Sequence, residues 1–408
     1  MTQPDPDGSI LLTTNAVADL LVAAVQHSGG RLLSWQLDHV DSAPNHSTTA
    51  TYYADVQWPH GRRTELLGVS ARVGAPSSTD VHAEIFADGD REVAVWLYPR
   101  DPDLPGLTRA AYPEQMLDLI NARSLVGRPV AMSELSLDMI GYRPRRRAVV
   151  RLRVGQADDR STFYVKVLRP RVFDDIVAKH QLLLDAGLPA PEIAAVTDDQ
   201  LLVLRALPGV PLAKAIFRPG VPCTAEDLIG VLDAMPKAVA SLERRPPWSD
   251  AVEHYANIVS QALPVEAPRL DWLVREITHG LRDIGPGNEP THGDFHEGQL
   301  HVADGNIVGI LDVDTIGPGR RADDLACLIA HLSTIQGMNA QQAARVQGLL
   351  QAWVPVFDER VDPVELRLRA AAVIVSLATG PYRGQEPNWQ AQTSHVIGAA
   401  MALVRQVS

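Results

Sequence analysis

Hydrophobic and polar positions alternate with a period of two through the first hundred residues, a pattern typical of half-buried β-strands. One short amphipathic helix precedes this region, over Thr14–Gln26. Turn residues such as Pro59-His60-Gly61 divide the alternating region into separate runs. The predicted strands are Leu32–His39, Thr48–Trp58, Thr64–Val73, Val81–Phe86 and Val93–Tyr98. This order predicts a small antiparallel sheet with one helix.

A second set of β-prone runs begins near Arg128, after two short predicted helices at 107–111 and 113–122. It comprises Ser136–Tyr142, Ala148–Val154, Thr162–Leu168, a run at 188–193 and Leu201–Leu204. A helix over Val172–Ala186 interrupts this set. Beyond the last strand, apolar residues recur at helical spacing to the end of the chain. The predicted helices include Thr224–Leu242, Ala251–Leu263, Pro268–Ile284, Asn339–Trp353, Pro363–Thr379 and Asn388–Val407.

Length and composition narrow the class of protein. A chain of 408 residues with 46% hydrophobic positions is expected to form two or three domains. The net charge of −12 argues against a nucleic-acid partner. Two cysteines make no disulfide framework, the first residues lack a signal-peptide pattern, and no apolar run reaches the roughly 18 residues of a membrane span. These features predict a cytoplasmic enzyme without a membrane partner, acting as a monomer or a weak oligomer.

The stretch Thr291–Asp314 contains the densest group of residues with catalytic chemistry. Within it, Leu300–Val302 and Ile307–Leu311 are two β-prone runs joined by Asp304-Gly305-Asn306, a strong hairpin-turn signal. A hairpin of this size brings its two ends together. Residues just before the hairpin are therefore expected beside those just after it.

The two ends of this hairpin carry oxygen-bearing side chains. Asp294 and Gln299 stand at its entrance, and Asp312 and Asp314 stand at its exit. Three carboxylates and an amide oxygen around one small volume offer only oxygen ligands. Such a set suits Mg²⁺, which takes a few protein ligands and completes its shell with phosphate and water.

Two other interpretations of this stretch are weaker. His292, His296 and His301 could suggest zinc, but Gly293 stands where the helix of a zinc protease needs Glu, and Gly293 and Gly298 disfavour a helix. A solvated acidic loop without chemistry is disfavoured by the ordered spacing of acid, amide, hairpin and acid.

The stretch resembles the catalytic and metal loops of the aminoglycoside phosphotransferase and choline kinase superfamily, which shares the protein-kinase fold. The resemblance implies that Asp294 is the base, and that Gln299 and Asp312 hold magnesium. Gln299 in place of the usual Asn is similar to the maltokinase-like branch, and Asp312–Ala326 resembles the actinobacterial glucosamine kinases within that branch. It also implies that an aspartate at the start of the following helix, best matched by Asp324, supports the catalytic loop.

The same resemblance implies an α+β fold: a two-lobed, protein-kinase-like enzyme with an N-terminal α/β cap domain. The cap would cover residues 1–127, the kinase-like N-lobe 128–208, and the helical C-lobe with the catalytic loop 209–408. The implied cofactors are ATP and Mg²⁺, and the implied partner is a small-molecule sugar.

Four residues outside the catalytic stretch are candidates for ATP binding. Lys166 lies among apolar neighbours in a predicted strand, where a lysine is costly unless it is paired, and the family places a phosphate-binding lysine there. Arg145 stands in the basic turn 143–147, which is either a phosphate-binding loop or a solvated turn. Arg205 and Leu207 match the hinge whose backbone pairs with adenine. The following helix lacks the Glu that would orient the lysine, although Asp174 and Asp175 lie early in it.

A break between the last two predicted helices is rich in residue types that bind sugars. Tyr382 and Trp389 could stack on a sugar, and Arg383 and Glu386 could bind its hydroxyls, while Glu386 could also bind an amine. An ordinary connecting loop is the alternative. The sequence therefore predicts transfer of the ATP γ-phosphoryl group to an amino sugar, with glucosamine as the first candidate. Maltokinase, aminoglycoside phosphotransferase and an ATP-binding pseudokinase are the alternatives.

Overall fold

The computed structural model describes residues 5, 7–43, 45–74, 83–88, 91–156 and 159–407. They divide into two compact units. The first unit comprises Met1–Asp174, Ile193–Ala206 and Tyr382–Pro387, and the second comprises Asp175–Glu192, Leu207–Pro381 and Asn388–Ser408. The predicted boundaries at 127/128 and 208/209 stay predictions. Among the described residues, no helix combines the length and the apolar character that crossing a bilayer requires.

The first unit begins with two helices and a five-stranded antiparallel sheet. The helices are α1 (Ser9–Thr13) and α2 (Ala18–His27), and the strands are β1 (Arg31–Ala43), β2 (Ser47–Trp58), β3 (Gly61–Val73), β4 (Glu84–Asp88) and β5 (Arg91–Leu97). The strand order is β1-β2-β3-β5-β4. Apolar residues of α2 and of one face of the sheet form a single core, as the alternation predicts.

The predicted strand Val81–Phe86 is displaced in the structure. Residues 81 and 82 lie outside the described residues, and β4 extends two residues beyond Phe86, because Ala87 and Asp88 pair with Glu92 and Arg91. The alternation was a poor guide to this boundary because backbone pairing does not require apolar side chains.

The second sheet of this unit is also five-stranded and antiparallel. It follows the helices α3 (Leu107–Ala111) and α4 (Pro113–Ala122) and comprises β6 (Leu135–Arg143), β7 (Arg147–Val154), β8 (Ser161–Leu168), β9 (Ile193–Val196) and β10 (Leu201–Arg205) in the order β6-β7-β8-β10-β9. Helix α5 (Pro170–Asp185) lies between β8 and β9 in the chain. The predicted run at 188–193 is wrong as a strand, because Pro189 and Pro191 interrupt it and pairing starts at Ile193.

The second unit is mainly helical. Its helices are α6 (Leu212–Ala215), α7 (Ala225–Asp233), α8 (Val252–Ala262), α9 (Ala267–Leu281), α10 (Arg321–Thr334), α11 (Ala340–Arg360), α12 (Pro363–Leu377), α13 (Gly380–Arg383) and α14 (Trp389–Val404). Its short strands are β11 (Val210–Pro211), β12 (Glu289–Thr291), β13 (Leu300–Ala303), β14 (Asn306–Ile310) and β15 (Gly317–Gly319). Helix α12 is buried on most sides and packs against α9, α10 and α14.

The largest differences between predicted and observed helix boundaries occur at α7 and α11. The helix predicted to run from Thr224 to Leu242 ends at Asp233, and a 3-10 turn at Lys237–Ser241 follows Pro236. Helix α11 runs to Arg360 and includes Pro355, past the predicted end at Trp353. Burial of Trp353 and Phe357 on one side of α11 explains why the helix continues through the proline.

Candidate active site

A two-stranded pairing of β12 with β15 fixes the start and the end of the candidate loop. Thr291 pairs with Gly317, and its Oγ1 donates to the Gly317 carbonyl at 2.8 Å. The residues between these strands contain the base candidate, the hairpin and the metal candidates. Their outer ends are therefore tied together before any ligand binds.

Asp324 supports this loop from the first turn of α10. Its Oδ2 accepts from the His292 N–H at 2.9 Å, and its Oδ1 accepts from the Gly293 N–H at 2.8 Å. The residue is fully buried, and the Arg321 guanidinium lies 3.6 Å from Oδ2. Burial raises the pKa of this carboxyl to about 6, although His292, the two backbone donors and Arg321 act in the opposite direction. The supporting role implied by the resemblance is confirmed.

His292 connects the base candidate Asp294 to Leu311, at the open end of the hairpin. Its Nδ1 accepts from the Asp294 N–H at 3.3 Å, so Nε2 carries the proton and donates to the Leu311 carbonyl at 2.8 Å. Gly293 between them has φ +81°, and a Cβ there would lie 2.7 Å from the Thr315 carbonyl oxygen. Both ring nitrogens of His292 serve the backbone, which argues against the zinc interpretation.

The hairpin forms where the turn signal predicts it. β13 pairs with β14 from Leu300↔Ile310 to Ala303↔Asn306, and positive φ at Asp304 and Gly305 makes a tight two-residue turn. At the open end, the Leu311 N–H donates to the Gln299 carbonyl at 2.7 Å. Gln299 and Asp312 therefore stand at adjoining ends of the hairpin, as the sequence predicts.

The two exit aspartates have unusual surroundings. Asp312 has φ 51°, a left-handed conformation that few residues other than glycine adopt and that is frequent at functional sites. Asp314 is 6% exposed and lies in the 3-10 turn Val313–Thr315. Its carbonyl oxygen lies 3.4 Å from Nζ of Lys179, which also contacts Asp175 at 2.7 Å. The buried ammonium group of Lys179 thus contacts the backbone of the turn that contains Asp314.

Two histidines and a cysteine surround the carboxylate of Asp294. Its Oδ2 lies 3.9 Å from Nε2 of His296, and its Oδ1 lies 3.9 Å from Sγ of Cys327. The rings of His296 and His331 stack, with 4.0 Å between their centroids and 7° between their planes. Burial lowers the pKa of His296 to about 4 and that of His331 to about 3, and it raises the pKa of the Cys327 thiol. At neutral pH, these three neighbours are uncharged.

Helix α10 contributes neighbours of the base candidate Asp294 that the sequence analysis did not identify. Cys327 and His331 are four residues apart and therefore lie on the same face of α10 as each other. Glu297, whose pKa is raised to about 7 by burial and by the charge of Asp294, is also in this group. The helical spacing after Asp324 is a signal that could have found Cys327 and His331.

Two kinds of metal site can be compared at this position. Gln299, Asp312 and Asp314 supply the amide and carboxylate oxygens that a hard cation such as Mg²⁺ prefers, on a hairpin already closed by backbone bonding. Ligand atoms of His296, Glu297 and His331 lie within 4.8 Å of one another. However, nitrogen lone pairs of stacked, parallel rings do not converge on one point. The roles of Gln299, Asp312 and Asp314 as ligands of Mg²⁺ stay predictions.

The ATP-binding candidates of the first unit lie on or next to its second sheet. Lys166 is 9% exposed on β8, between Val149 of β7 and Leu202 of β10. Arg205 ends β10, and its guanidinium donates to the Leu125 carbonyl at 3.2 Å and lies over the Phe163 ring. The phosphate-binding role of Lys166 and the hinge role of Arg205 stay predictions.

Arg145 is buried, contrary to what a phosphate-binding or solvated turn would suggest. Its N–H donates to Asp101 at 2.8 Å, and its guanidinium lies 3.4 Å from Asp103 and 5.2 Å from the centre of the Trp96 ring. These contacts join the turn before β7 to residues at and after β5. Its predicted contact with ATP phosphate stays a prediction. In the second unit, the Leu207 side chain packs on Gly309 of β14.

The predicted sugar-binding residues 382–389 have differing surroundings. Tyr382 forms a side-chain hydrogen bond with Thr13, at the end of α1, and Arg383 lies 3.2 Å from Asp41 of β1. Glu386 is exposed, and the half-buried Trp389 is the first residue of α14. The sequence did not predict the contacts of Tyr382 and Arg383 with N-terminal elements. The sugar-binding role of all four stays a prediction.

Known proteins resemble this chain over the region that contains the loop. The family model described as the phosphotransferase enzyme family matches residues 143–361. An aminoglycoside 3'-phosphotransferase of Escherichia coli is 26% identical over 231 residues, which cover 51% of this chain and 84% of the relative. The family match, together with a sheet-rich first unit and a helical second unit, confirms the predicted kinase-like α+β fold.

Solved structures show weaker likeness. A thermostable mutant of aminoglycoside phosphotransferase APH(4)-Ia, in ternary complex with ADP and hygromycin B, has a TM-score of 0.48 at 14% identity, covering 70% of this chain and 96% of the other. A choline/ethanolamine kinase family protein from Mesorhizobium loti has a TM-score of 0.46 at 17% identity, covering 69% and 93%. The assignment of this chain therefore rests on the family match.

Proposed function

Because the chain belongs to the phosphotransferase enzyme family, we propose that it transfers the γ-phosphoryl group of ATP to the primary hydroxyl of glucosamine. The observation that carries the proposal is the closed hairpin: the bond from the Leu311 N–H to the Gln299 carbonyl holds Gln299 beside Asp312. The bonds of His292 tie the Asp294 backbone to the same end. Base and metal ligands thus belong to one cross-linked segment.

Asp294 would accept the proton of the attacking hydroxyl. A general base has to be held within hydrogen-bonding reach of that proton, and Asp324 and His292 provide the rigidity by binding the backbone on either side of Gly293. The uncharged state of His296, His331 and Cys327 leaves the carboxylate without a competing cation among these neighbours. These features support a rigidly held carboxylate at Asp294 with uncharged neighbours at His296, His331 and Cys327.

Gln299 and Asp312 would hold Mg²⁺, with Asp314 reaching the same or a second ion. When bound, Mg²⁺ neutralises phosphate charge and orients the γ-phosphoryl group for in-line transfer. Lys166 would contact the α- and β-phosphates, and the backbone near Arg205 and Leu207 would pair with adenine.

The amino-sugar acceptor is supported by sequence resemblance and by charge. Gln299 together with Asp312–Ala326 resembles the glucosamine kinases. An ammonium group requires acidic or carbonyl partners, because a buried unpaired charge is strongly disfavoured. The chain is acidic overall, with a net charge of −12, and it has Glu297 next to Asp294 and Glu386 in the sugar-binding candidate segment.

Aminoglycoside phosphorylation is the second candidate. It is favoured by the Escherichia coli aminoglycoside 3'-phosphotransferase, which the chain matches over 84% of that relative's length. Aminoglycosides also carry ammonium groups, so charge alone does not separate the two. A maltokinase would prefer an uncharged sugar, and a pseudokinase would bind ATP without transferring phosphate.

ADP release measured on five acceptors tests the proposal. Glucosamine, glucose, N-acetylglucosamine, maltose and an aminoglycoside are compared at equal concentration with Mg²⁺ and ATP. Glucosamine is expected to give the highest rate, because only it combines one small sugar ring with a free ammonium group. Preference for maltose or N-acetylglucosamine would contradict the amine argument, and preference for the aminoglycoside would favour the second candidate. ATP binding without turnover on any of the five would favour the pseudokinase.

A further inference from the structure

A histidine without a role in the proposed reaction lies next to both the base and the amide ligand. Nε2 of His296 lies 3.1 Å from the amide nitrogen Nε2 of Gln299 and 3.9 Å from Oδ2 of Asp294. The charge of Asp312 also acts on this ring. The side chain of His296 is 17% exposed, and its ring stacks on that of His331, which limits rotation. One imidazole therefore lies near both Asp294 and Gln299, the proposed base and one proposed metal ligand.

The backbone determines which nitrogen of His296 carries the proton. The Gly298 N–H donates to Nδ1 at 3.1 Å, so that His296 caps the 3-10 turn Glu297–Gln299. A neutral imidazole has one donor and one acceptor nitrogen. Because Nδ1 accepts, Nε2 carries the hydrogen and faces Gln299 as a donor.

This donor in turn selects the orientation of the Gln299 amide. The nitrogen and oxygen ends of an amide have the same shape, and their hydrogen-bond partners distinguish them. The structure places the amide nitrogen of Gln299 opposite this N–H group. Because two N–H groups at 3.1 Å would repel each other, we assign the amide oxygen to that position instead. A carbonyl oxygen has two lone pairs, so Oε1 can accept from Nε2 and keep the second lone pair for a cation.

We propose that His296 is a positioning residue for the metal ligand Gln299. Its Nε2–H holds the amide so that Oε1, not the nitrogen, is presented to Mg²⁺. The proposal rests on the proposed function in one respect, the assignment of Gln299 as a magnesium ligand. Hydrogen bonds that orient metal ligands typically account for roughly 10–100-fold in metal affinity.

Replacing His296 with asparagine separates its two contacts. In His296→Asn, the carboxamide oxygen can still accept from the Gly298 N–H, because asparagine is a favourable capping residue. It has no donor at the position of Nε2. We expect His296→Asn to remain folded but to have a lower urea midpoint, because the ring that stacks on His331 is lost. In the presence of ADP, it is expected to bind Mn²⁺, a spectroscopic substitute for Mg²⁺, roughly 10–100-fold more weakly by electron paramagnetic resonance.

Two further variants serve as controls. His254→Asn removes an exposed imidazole from α8 and is expected to keep the wild-type Mn²⁺ affinity. In a Gln299→Asn background, the shorter amide no longer reaches Nε2. His296→Asn is therefore expected to cause little additional loss there, a non-additivity that a capping role would not produce. Unchanged Mn²⁺ affinity in His296→Asn, or fully additive losses, would overturn the proposal.

Nitrogen-15 NMR of the unmutated full-length chain, labelled in histidine, tests the tautomer directly. The proposal requires the hydrogen on Nε2 of His296, and a hydrogen on Nδ1 alone would overturn it, whether or not a variant folds. Failure of the proposed function has a different signature. If wild type phosphorylates no acceptor while His296→Asn still weakens Mn²⁺ binding, the function is contradicted and the positioning role stands. A wild-type chain that binds no Mn²⁺ with ADP overturns the positioning role.

Discussion

At the scale of single residues, burial determines the charge of the groups that hold the candidate loop between β12 and β15. Asp324 is fully buried while it accepts from two backbone N–H groups. Burial raises its pKa from 3.8 to about 6. The folded chain therefore takes up a proton at Asp324 at a higher pH than the unfolded chain does. Ionisation of this one residue should be visible in the pH dependence of stability.

We predict that Asp324→Asn changes this pH dependence. Between pH 3.8 and about 6, the folded state holds a proton that the unfolded state has released, so the contribution of Asp324 to stability falls as the pH rises. The variant cannot titrate at this position. The unfolding free energy of wild type minus that of the variant should therefore decrease over this interval, as measured by urea denaturation at several pH values. A difference that stays constant or increases would contradict the raised pKa.

Sequence reasoning at this scale depends on how far apart the contacting residues are in the chain. The sequence was sufficient to predict that Asp294, Gln299 and Asp312 lie near one another, because only one short hairpin separates them in the chain. The burial of Arg145 could not be predicted from the sequence. It depends on contacts with Trp96, Asp101 and Asp103, which are more than forty positions away in the chain. Arginine in a basic turn looks solvated until its distant partners are known.

At the scale of elements, the β13–β14 hairpin and the turns at its open end contain the candidate site residues. The hairpin was predictable because Asp304-Gly305 strongly favours a two-residue turn between apolar runs. The sequence does not identify an acidic partner for Lys166. Helix α5, which should supply the acid, offers only Asp174 and Asp175, and Asp175 contacts Lys179. Gly293 lies where the chain turns from β12 into the loop, and its conformation can be tested.

We predict that Gly293→Ala lowers stability and activity more than Gly305→Ala does. Both glycines have a positive φ, near +80°, so the intrinsic backbone cost to alanine, roughly 1–2 kcal/mol, is similar. Only at Gly293 would the new Cβ meet an atom, the Thr315 carbonyl oxygen at 2.7 Å, whereas nothing lies within 4 Å at Gly305. Urea midpoints and ADP-release rates of the two variants measure the difference. Equal losses would show that the close contact at Gly293 is unimportant.

At the scale of the whole molecule, the described chain comprises a sheet-rich unit and a helical unit, and the family match spans parts of both. Length and helical spacing suggested more than one unit from sequence alone. The assignment of residues 382–387 to the first unit could not be foreseen, because it depends on contacts of Tyr382 and Arg383 with N-terminal elements. Ligand binding should stabilise the folded chain as a whole.

We predict that ATP raises the unfolding temperature more with Mg²⁺ than with EDTA. A ligand that binds only the folded state contributes roughly 2.7 kcal/mol at one hundred times its dissociation constant. Asp312→Asn should remove most of the increment due to Mg²⁺ while keeping the increment due to ATP, because it deletes a carboxylate proposed to bind the ion. Calorimetry with each ligand measures this. An undiminished Mg²⁺ increment in the variant would contradict the assignment of Asp312.

The most direct test of the central claim is phosphoryl transfer by Asp294→Asn. The substitution keeps the size of the side chain and removes its ability to accept the proton of the attacking hydroxyl. ADP release with the best acceptor should fall at least about 100-fold, the lower end of the usual contribution of a general base. Calorimetric binding of ATP and Mg²⁺ should match wild type. Binding and turnover that both remain at the wild-type level would contradict the assignment of Asp294 as the base.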